Sequence, residues 1–328
     1  MLSMANTKGE LQKGASSLNA PIFIGGLANS GKTELRLMLE AHPHLSFTRR
    51  TYMWTRFYQR FGDLSHAKNL DRCLEAMMQN KHIRSLESDL ERIRREFALG
   101  ERSYARLFGL FHSHYAERMG KSRWGDQLGS VERFADPIFE SFPNAKMIQM
   151  IRDPRDVYEE AKARSPQRSG KVGWMLANWL ESMRWAKRNQ SRYPQGYKVV
   201  RYERLMAQPI ETLREICAFL GEMFVPEMVN AAMLNTTPKA SRDSAHDMAQ
   251  ESYQTIIPSP PNRARRRHLS PREIAFMQQY ARQELLSLGY FLEPATLSVR
   301  DRFLFTCFDW PVNQVGIFVW QMTHGRGM

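Results

Sequence analysis

One stretch near the N-terminus limits what this chain can fold into: Pro21-Ile22-Phe23-Ile24-Gly25-Gly26-Leu27-Ala28-Asn29-Ser30-Gly31-Lys32-Thr33. Its apolar start reads as a buried strand. The glycines break it into a loop, and Leu35, Leu37, Met38 and Leu39 then supply the buried positions of a helix. Gly26-x4-Gly31-Lys32-Thr33 fits the phosphate-loop pattern in every defined position. The residue types follow from the task. Glycines let successive backbone N–H groups turn toward phosphate oxygens, the helix adds the positive end of its dipole, and Lys32 adds a full charge. A bound phosphorylated nucleotide is the expectation.

With 328 residues the chain can bury a sizeable core, and 42% hydrophobic and 25% charged residues are ordinary for a globular protein. The net charge of +13 is not ordinary and points to anionic partners. Cys73, Cys217 and Cys307 are odd in number and far apart, so neither a disulfide framework nor a metal-binding spacing is visible, which favours a reducing compartment. Residues 1–19 are polar and read as a disordered arm. No apolar run approaches the ~20 residues that span a bilayer. These features make a cytoplasmic location the expectation.

Strands alternate with helices beyond the loop. Strands are expected at Arg123 to Asp126, Ala145 to Ile151 and Tyr197 to Tyr202. Helices are expected at Val131 to Phe142, from Pro154, at Val172 to Gln190, and at Ile210 to Leu220, the last closed by Gly221. Such alternation implies an α/β fold: a three-layer P-loop-type core, its central parallel sheet flanked by helices. Residues 50–120 carry helical spacing and read as a helical insertion in a domain spanning 20–294. Asn235 to Asn262 reads as a polar loop, followed by the basic run Arg263 to Arg267, a candidate lid over phosphates. A helix is expected from Pro271 to Leu288. The tail, 295–328, is apolar and is expected to pack back on the body, with docking on another copy or on a surface as the alternative.

Four stretches in this order resemble the sulfotransferase family, which moves a sulfuryl group from 3′-phosphoadenosine 5′-phosphosulfate (PAPS) to an acceptor. They are Ile22 through Gly31 with Ala41-His42-Pro43; Trp124-Gly125-Asp126; Phe142-Pro143 through Ile151-Arg152-Asp153-Pro154-Arg155-Asp156-Val157; and Val200-Arg201-Tyr202-Glu203 through Gly221, with the late Leu269-Ser270-Pro271 and Leu288-Gly289-Tyr290. The resemblance implies that the first loop (Gly26, Asn29, Ser30, Gly31, Lys32, Thr33) binds the donor's 5′-phosphosulfate. It implies that Arg152 grips the 3′-phosphate, with Arg263 and Arg267 closing on the donor.

The chain departs from the family pattern at informative positions. Asn29 stands where a basic residue is usual, with Lys32 three residues on as its replacement; Gln127 stands where a lysine is expected. Glu160 stands eight residues after Arg152, where the family has a serine. A carboxylate within ~4 Å of a phosphate costs about 1 to 4 kcal/mol, depending on the local dielectric. Where the family places a glutamate base, this chain has Arg49 and Arg50, so Asp126 becomes the first candidate for the catalytic base, ahead of Glu203 and His44. By the same resemblance Lys32 is the candidate catalytic cation. Arg49 and Arg50, interleaved with aromatics such as Trp54, suit a planar or anionic acceptor.

Three functions follow. The first is PAPS-dependent sulfuryl transfer to a hydroxyl or amine of a small acceptor, an anionic one being among the options that Arg49 and Arg50 leave open. The second is an ATP- and Mg-dependent small-molecule kinase, with Thr33 and Asp126 serving the metal. The third is a non-catalytic nucleotide-binding module; no nucleic-acid motif is present.

Overall fold

The computed structural model describes residues 20–165, 171–234 and 268–324. The arm at 1–19, the loop at 235–262 and Arg263 to Arg267 lie outside them.

Strands β1 (Ile22–Gly26), β2 (Leu45–Arg49), β3 (Arg123–Gln127), β4 (Lys146–Ile151) and β5 (Tyr197–Arg201) form one parallel sheet in the order β2-β3-β1-β4-β5. β1 pairs with β3 on one side, Ile24 beside Gln127, and with β4 on the other, Ile24 beside Ile148. Every β1 residue is buried, as both-face coverage of a parallel sheet requires. Ile22 and Ile24 face one layer with Leu35, Leu39, Leu213 and Ile216, while Phe23 faces the other with Trp54, Phe108 and Trp124. The chain order reverses on either side of β1, which opens the crevice where ligands of such sheets sit.

Helix α1 (Lys32–Glu40) returns β1 toward β2. A π-helical turn (Met53–Phe57) and helices α2 (Ala67–Gln79), α3 (Lys81–Arg84), α4 (Leu90–Ala98) and α5 (Tyr104–Arg118) fill the crossing from β2 to β3. A 3-10 turn (Val131–Phe134) and α6 (Ala135–Ser141) lead to β4; α7 (Pro154–Arg164) and α8 (Val172–Arg192) lead to β5. Then come α9 (Tyr202–Ala207), α10 (Pro209–Leu220) and α11 (Glu227–Leu234). The last described segment holds α12 (Pro271–Tyr280), α13 (Arg282–Ser287), α14 (Val299–Leu304), a second π-helical turn (Phe305–Asp309) and α15 (Trp310–His324).

The single helix expected over 271–288 is two helices that meet at Ala281. Ala281 is itself fully buried, and the break lets Phe276 and Leu285 enter one apolar cluster. The tail packs back through Phe305, Ile317 and Trp320, which join that cluster with Leu176 and Trp179. Phe303, Phe308, Val312, Val315 and Phe318 stay exposed. Among the described residues, no helix is long and apolar enough to cross a membrane.

Candidate active site

Past β1 the backbone turns on three residues of positive φ: Gly26 at 119°, Asn29 at 62° and Gly31 at 91°. Two of these positions have no room for a side chain. A Cβ on Gly26 would lie 2.2 Å from the Met150 carbonyl oxygen, and one on Gly31 would lie 2.2 Å from the Tyr202 ring. Gly31 is also the residue before α1, and no side chain caps that helix. The first-turn N–H groups have no partner inside the helix, so the positive end of α1 is turned on the loop. Ser30 Oγ is buried there with no hydrogen-bond partner among the described residues.

Lys32 folds back into this curl. Its Nζ donates to the Gly26 carbonyl at 2.8 Å and to the Leu27 carbonyl. Burial lowers its pKa to about 8, with the charges of Glu132 and Glu34 opposing that fall and Arg50 adding to it. The lysine therefore carries its charge near neutral pH at a desolvation cost, which an incoming anion would offset.

Glu132 lies beneath the loop and was not singled out in the sequence. It is buried, its Oε2 accepts from the Gly26 N–H at 3.2 Å, and its Oε1 accepts from Ser182 Oγ at 3.3 Å. A Cβ on Gly25 would meet Glu132 Oε2 at 2.9 Å, so that glycine makes room for the carboxylate. Only a glutamate in an unremarkable helix start marked this position.

Arg152 sits at the end of β4, where the resemblance puts it beside the loop. Its guanidinium donates to Asn29 O at 2.9 Å and to Glu160 Oε2 at 2.6 Å, and it stacks 4.4 Å above the Tyr202 ring. Arg164 donates to Glu160 Oε1 at 2.5 Å and to Asn29 Oδ1 at 3.1 Å. Glu160 is thus an internal anion between two guanidinium groups, at the rim of the loop. Glu34, in the first turn of α1, belongs to the same neighbourhood. Burial raises its pKa, its own backbone N–H lowers it, and the charge of Glu160 raises it further. The other arginine of the Arg152-Asp153-Pro154-Arg155 motif is structural. Asp153 caps α7, and Arg155 binds Asp153 at 2.6 Å, Gln278 at 2.5 Å and the Phe291 carbonyl at 2.9 Å, all away from the loop.

Two expected site residues have other tasks. Asp126 is fully buried and accepts from Thr48 Oγ1 at 2.9 Å and Thr51 Oγ1 at 2.7 Å, with His112 Nε2 at 3.6 Å. A base must reach its acceptor's proton. This enclosed carboxylate instead ties the end of β2 to β3, and burial keeps the pKa of neighbouring His112 below its usual value. Trp54 is also buried, edge-on to Phe23 at 6.3 Å and to Phe108 at 5.5 Å, so it is core and not pocket wall. Arg49 is half-buried and Arg50 exposed just after β2, on the loop side of the sheet. Thr33 is half-buried.

The weaker base candidates are also explained. Glu203 accepts from the Asp153 N–H at 2.8 Å and from Tyr290 Oη at 3.1 Å. His44 lies just before β2, at the end of the sheet opposite the loop, with Glu222 at 3.3 Å. His42, His44 and Glu222 cluster tightly enough to suggest metal ligands. Both ring nitrogens of His42 are already used, by the Met223 carbonyl at 2.9 Å and the His44 N–H at 3.2 Å.

The family model described as "Sulfotransferase family" matches residues 21–226, which include the loop, Asp126, Arg152 and all five strands. The chain belongs to the sulfotransferase family of enzymes. It is 28% identical over 211 residues to a protein-tyrosine sulfotransferase of Drosophila melanogaster, covering 61% of this chain and 37% of that protein. The chain thus spans well under half the length of that curated relative. The sulfotransferase domain of the Synechococcus PCC 7002 olefin synthase has the same fold, with a TM-score of 0.53 and 23% identity over 84% of this chain and 96% of that one. A second solved structure, the sulfotransferase domain from the curacin biosynthetic pathway, matches at a TM-score of 0.47 and 19% identity over 84% of this chain and 99% of that one. Family membership implies a PAPS-type donor in general terms.

Proposed function

We propose that this protein transfers a sulfuryl group from PAPS to a hydroxyl or amine of an acceptor. The observation that carries this reading is the uncapped N-terminus of α1 with Lys32 buried in the curl before it and Arg152 2.9 Å from Asn29 O. In-line transfer needs the leaving phosphate neutralised more than it needs covalent help. Loop N–H groups and Lys32 supply that. Arg152 and Arg164 are the residues for the donor's 3′-phosphate, which must displace the Glu160 carboxylate from between them. The fit is chemical: a carboxylate already occupies the space between the two guanidiniums, and a phosphate makes the same bidentate contacts with more charge.

The acceptor side is read from Arg49 and Arg50, which favour an anionic molecule or an acidic stretch of peptide around a hydroxyl. The named activity of the Drosophila relative makes a tyrosine hydroxyl one acceptor to try beside small phenols. The ATP–Mg reading loses its support because Asp126, the acidic strand end it needs, is enclosed by Thr48 and Thr51.

Thermal stabilisation by 3′-phosphoadenosine 5′-phosphate (PAP), Mg·ADP and ADP alone tests the donor. PAP should stabilise most, and label should pass from [35S]PAPS to at least one phenol or acidic tyrosine peptide. A larger shift with Mg·ADP would transfer the reading to a kinase, and no shift with any of the three would leave only the fold.

A further inference from the structure

Helix α15 has a buried face and, nearly opposite it, an exposed apolar stripe that continues from the preceding π-helical turn. The inner one, Asn313, Ile317 and Trp320, is buried against α8, where the Gly173 N–H donates to Asn313 Oδ1 at 2.9 Å. The outer one, Phe308, Val312, Val315, Val319 and Met322, repeats with spacings of four and three and stands in solvent. Val312 is 62% exposed and Val315 60%, and Phe318 beside them 61%. A narrow four-three stripe is the seam one helix offers to another.

The strip is large and uncharged. With aromatic side chains at ~200 Å² when fully open, the exposed parts of Phe303, Phe308, Val312, Val315, Phe318, Val319 and Met322 come to on the order of 700 Å². Monomers rarely leave more than about 300–600 Å² in one patch, and a standard interface covers about 800 Å² per partner. From Phe303 to Thr323 the only carboxylate is Asp309, which Arg272 holds at 2.9 Å, and there is no lysine or arginine. Phenylalanine and methionine without lysine or glutamate is the composition of an interface centre.

We propose that a second copy of this chain covers the strip, α15 packing antiparallel on its counterpart across a two-fold axis. An isologous contact sets the same stripe against itself, which a charge-free surface tolerates. Antiparallel packing also opposes the helix dipoles and keeps Arg300 and Arg302, at the start of α14, away from their copies. A lipid surface fits less well, because helices that lie on membranes carry lysines or arginines along the flanks. Here the flanks are Thr306, Gln314, Gln321 and Thr323.

Sedimentation equilibrium and light scattering on the full chain at micromolar concentration decide the matter. The expected mass is twice 38.3 kDa. Val315→Glu with Val319→Glu should weaken association at least 100-fold, giving the single-chain mass and an unchanged PAP response, with a melting temperature that no longer depends on protein concentration. Three results would overturn the proposal: a wild-type monomer at every concentration, a dimer that survives both glutamates, or a monomer that floats with phosphatidylglycerol vesicles and stops floating in the variant. The last would assign the strip to lipid.

Discussion

Arg152 and Glu160 form an ion pair at 2.6 Å, one helical segment apart and at the rim of the phosphate loop. By resemblance Arg152 faces the donor's 3′-phosphate, so the contact that positions its guanidinium also competes with that phosphate. Glu160→Gln keeps an acceptor oxygen for Arg152 but removes the charge. A unit charge ~4 Å from a phosphate costs about 1 kcal/mol in water and about 4 at an effective dielectric of 20. The expected result is PAP binding at least tenfold tighter, with ADP binding little changed, measured by titration calorimetry. Equal gains for both nucleotides would mean that Glu160 acts on the loop and not on a 3′-phosphate.

Arg152→Ala tests the other side of the pair. Hydrogen bonds to charged groups contribute about 1.5–3 kcal/mol, and PAP should weaken by that amount. ADP should weaken by about 0.5–1.5 kcal/mol, because the guanidinium also supports the loop through Asn29 O. If ADP falls as far as PAP, Arg152 is a loop brace only.

Lys32 makes binding depend on pH. Burial lowers its folded-state pKa to about 8, so the cation is present below that value and lost above it. Anion binding favours the charged form. PAP affinity should therefore hold near pH 7 and decline as pH rises through 8, and Lys32→Met should bind weakly with no such decline. A wild-type profile flat to pH 9.5 would remove Lys32 from the counter-charge role.

Glu132→Gln is expected to leave the core intact and disturb the loop. The Gly26 N–H keeps an acceptor, yet Lys32 loses a nearby negative charge, so its pKa should drop further. The decline in PAP affinity should then start at a lower pH than in wild type. An unmoved profile would mean that the carboxylate serves only as a hydrogen-bond acceptor.

The loop was legible because its geometry dictates residue type: positive φ at Gly26 and Gly31, with no space for a Cβ, leaves little else that fits. The parallel sheet was legible because strands buried on both faces are continuously apolar. Pairing was not. Arg152 and Arg155 look equivalent in the sequence, yet one faces the loop and the other braces α7 against the segment at 291–293. The burial of Trp54 and Asp126 was not legible for a related reason. An aromatic among arginines suggests a pocket, and an acid at a strand end suggests a base. Burial decides both, and burial is set by α5, whose Phe108 and His112 pack on them, which no local pattern encodes.

Asp126 itself yields the sharpest test, because its two readings differ in size and in kind. As a tie between strands it accepts two buried threonine hydroxyls, and Asp126→Asn keeps the shape and one acceptor oxygen. Leaving one hydroxyl poorly paired costs about 1–3 kcal/mol, so the melting temperature should fall while turnover per folded molecule stays near wild type. Thr51→Val should act the same way through the partner side. A general base contributes about 10²–10⁴-fold in rate. A loss of that size in Asp126→Asn, with stability unchanged and Thr51→Val fully active, would restore Asp126 to the chemistry and require the Thr48–Thr51 enclosure to open during turnover.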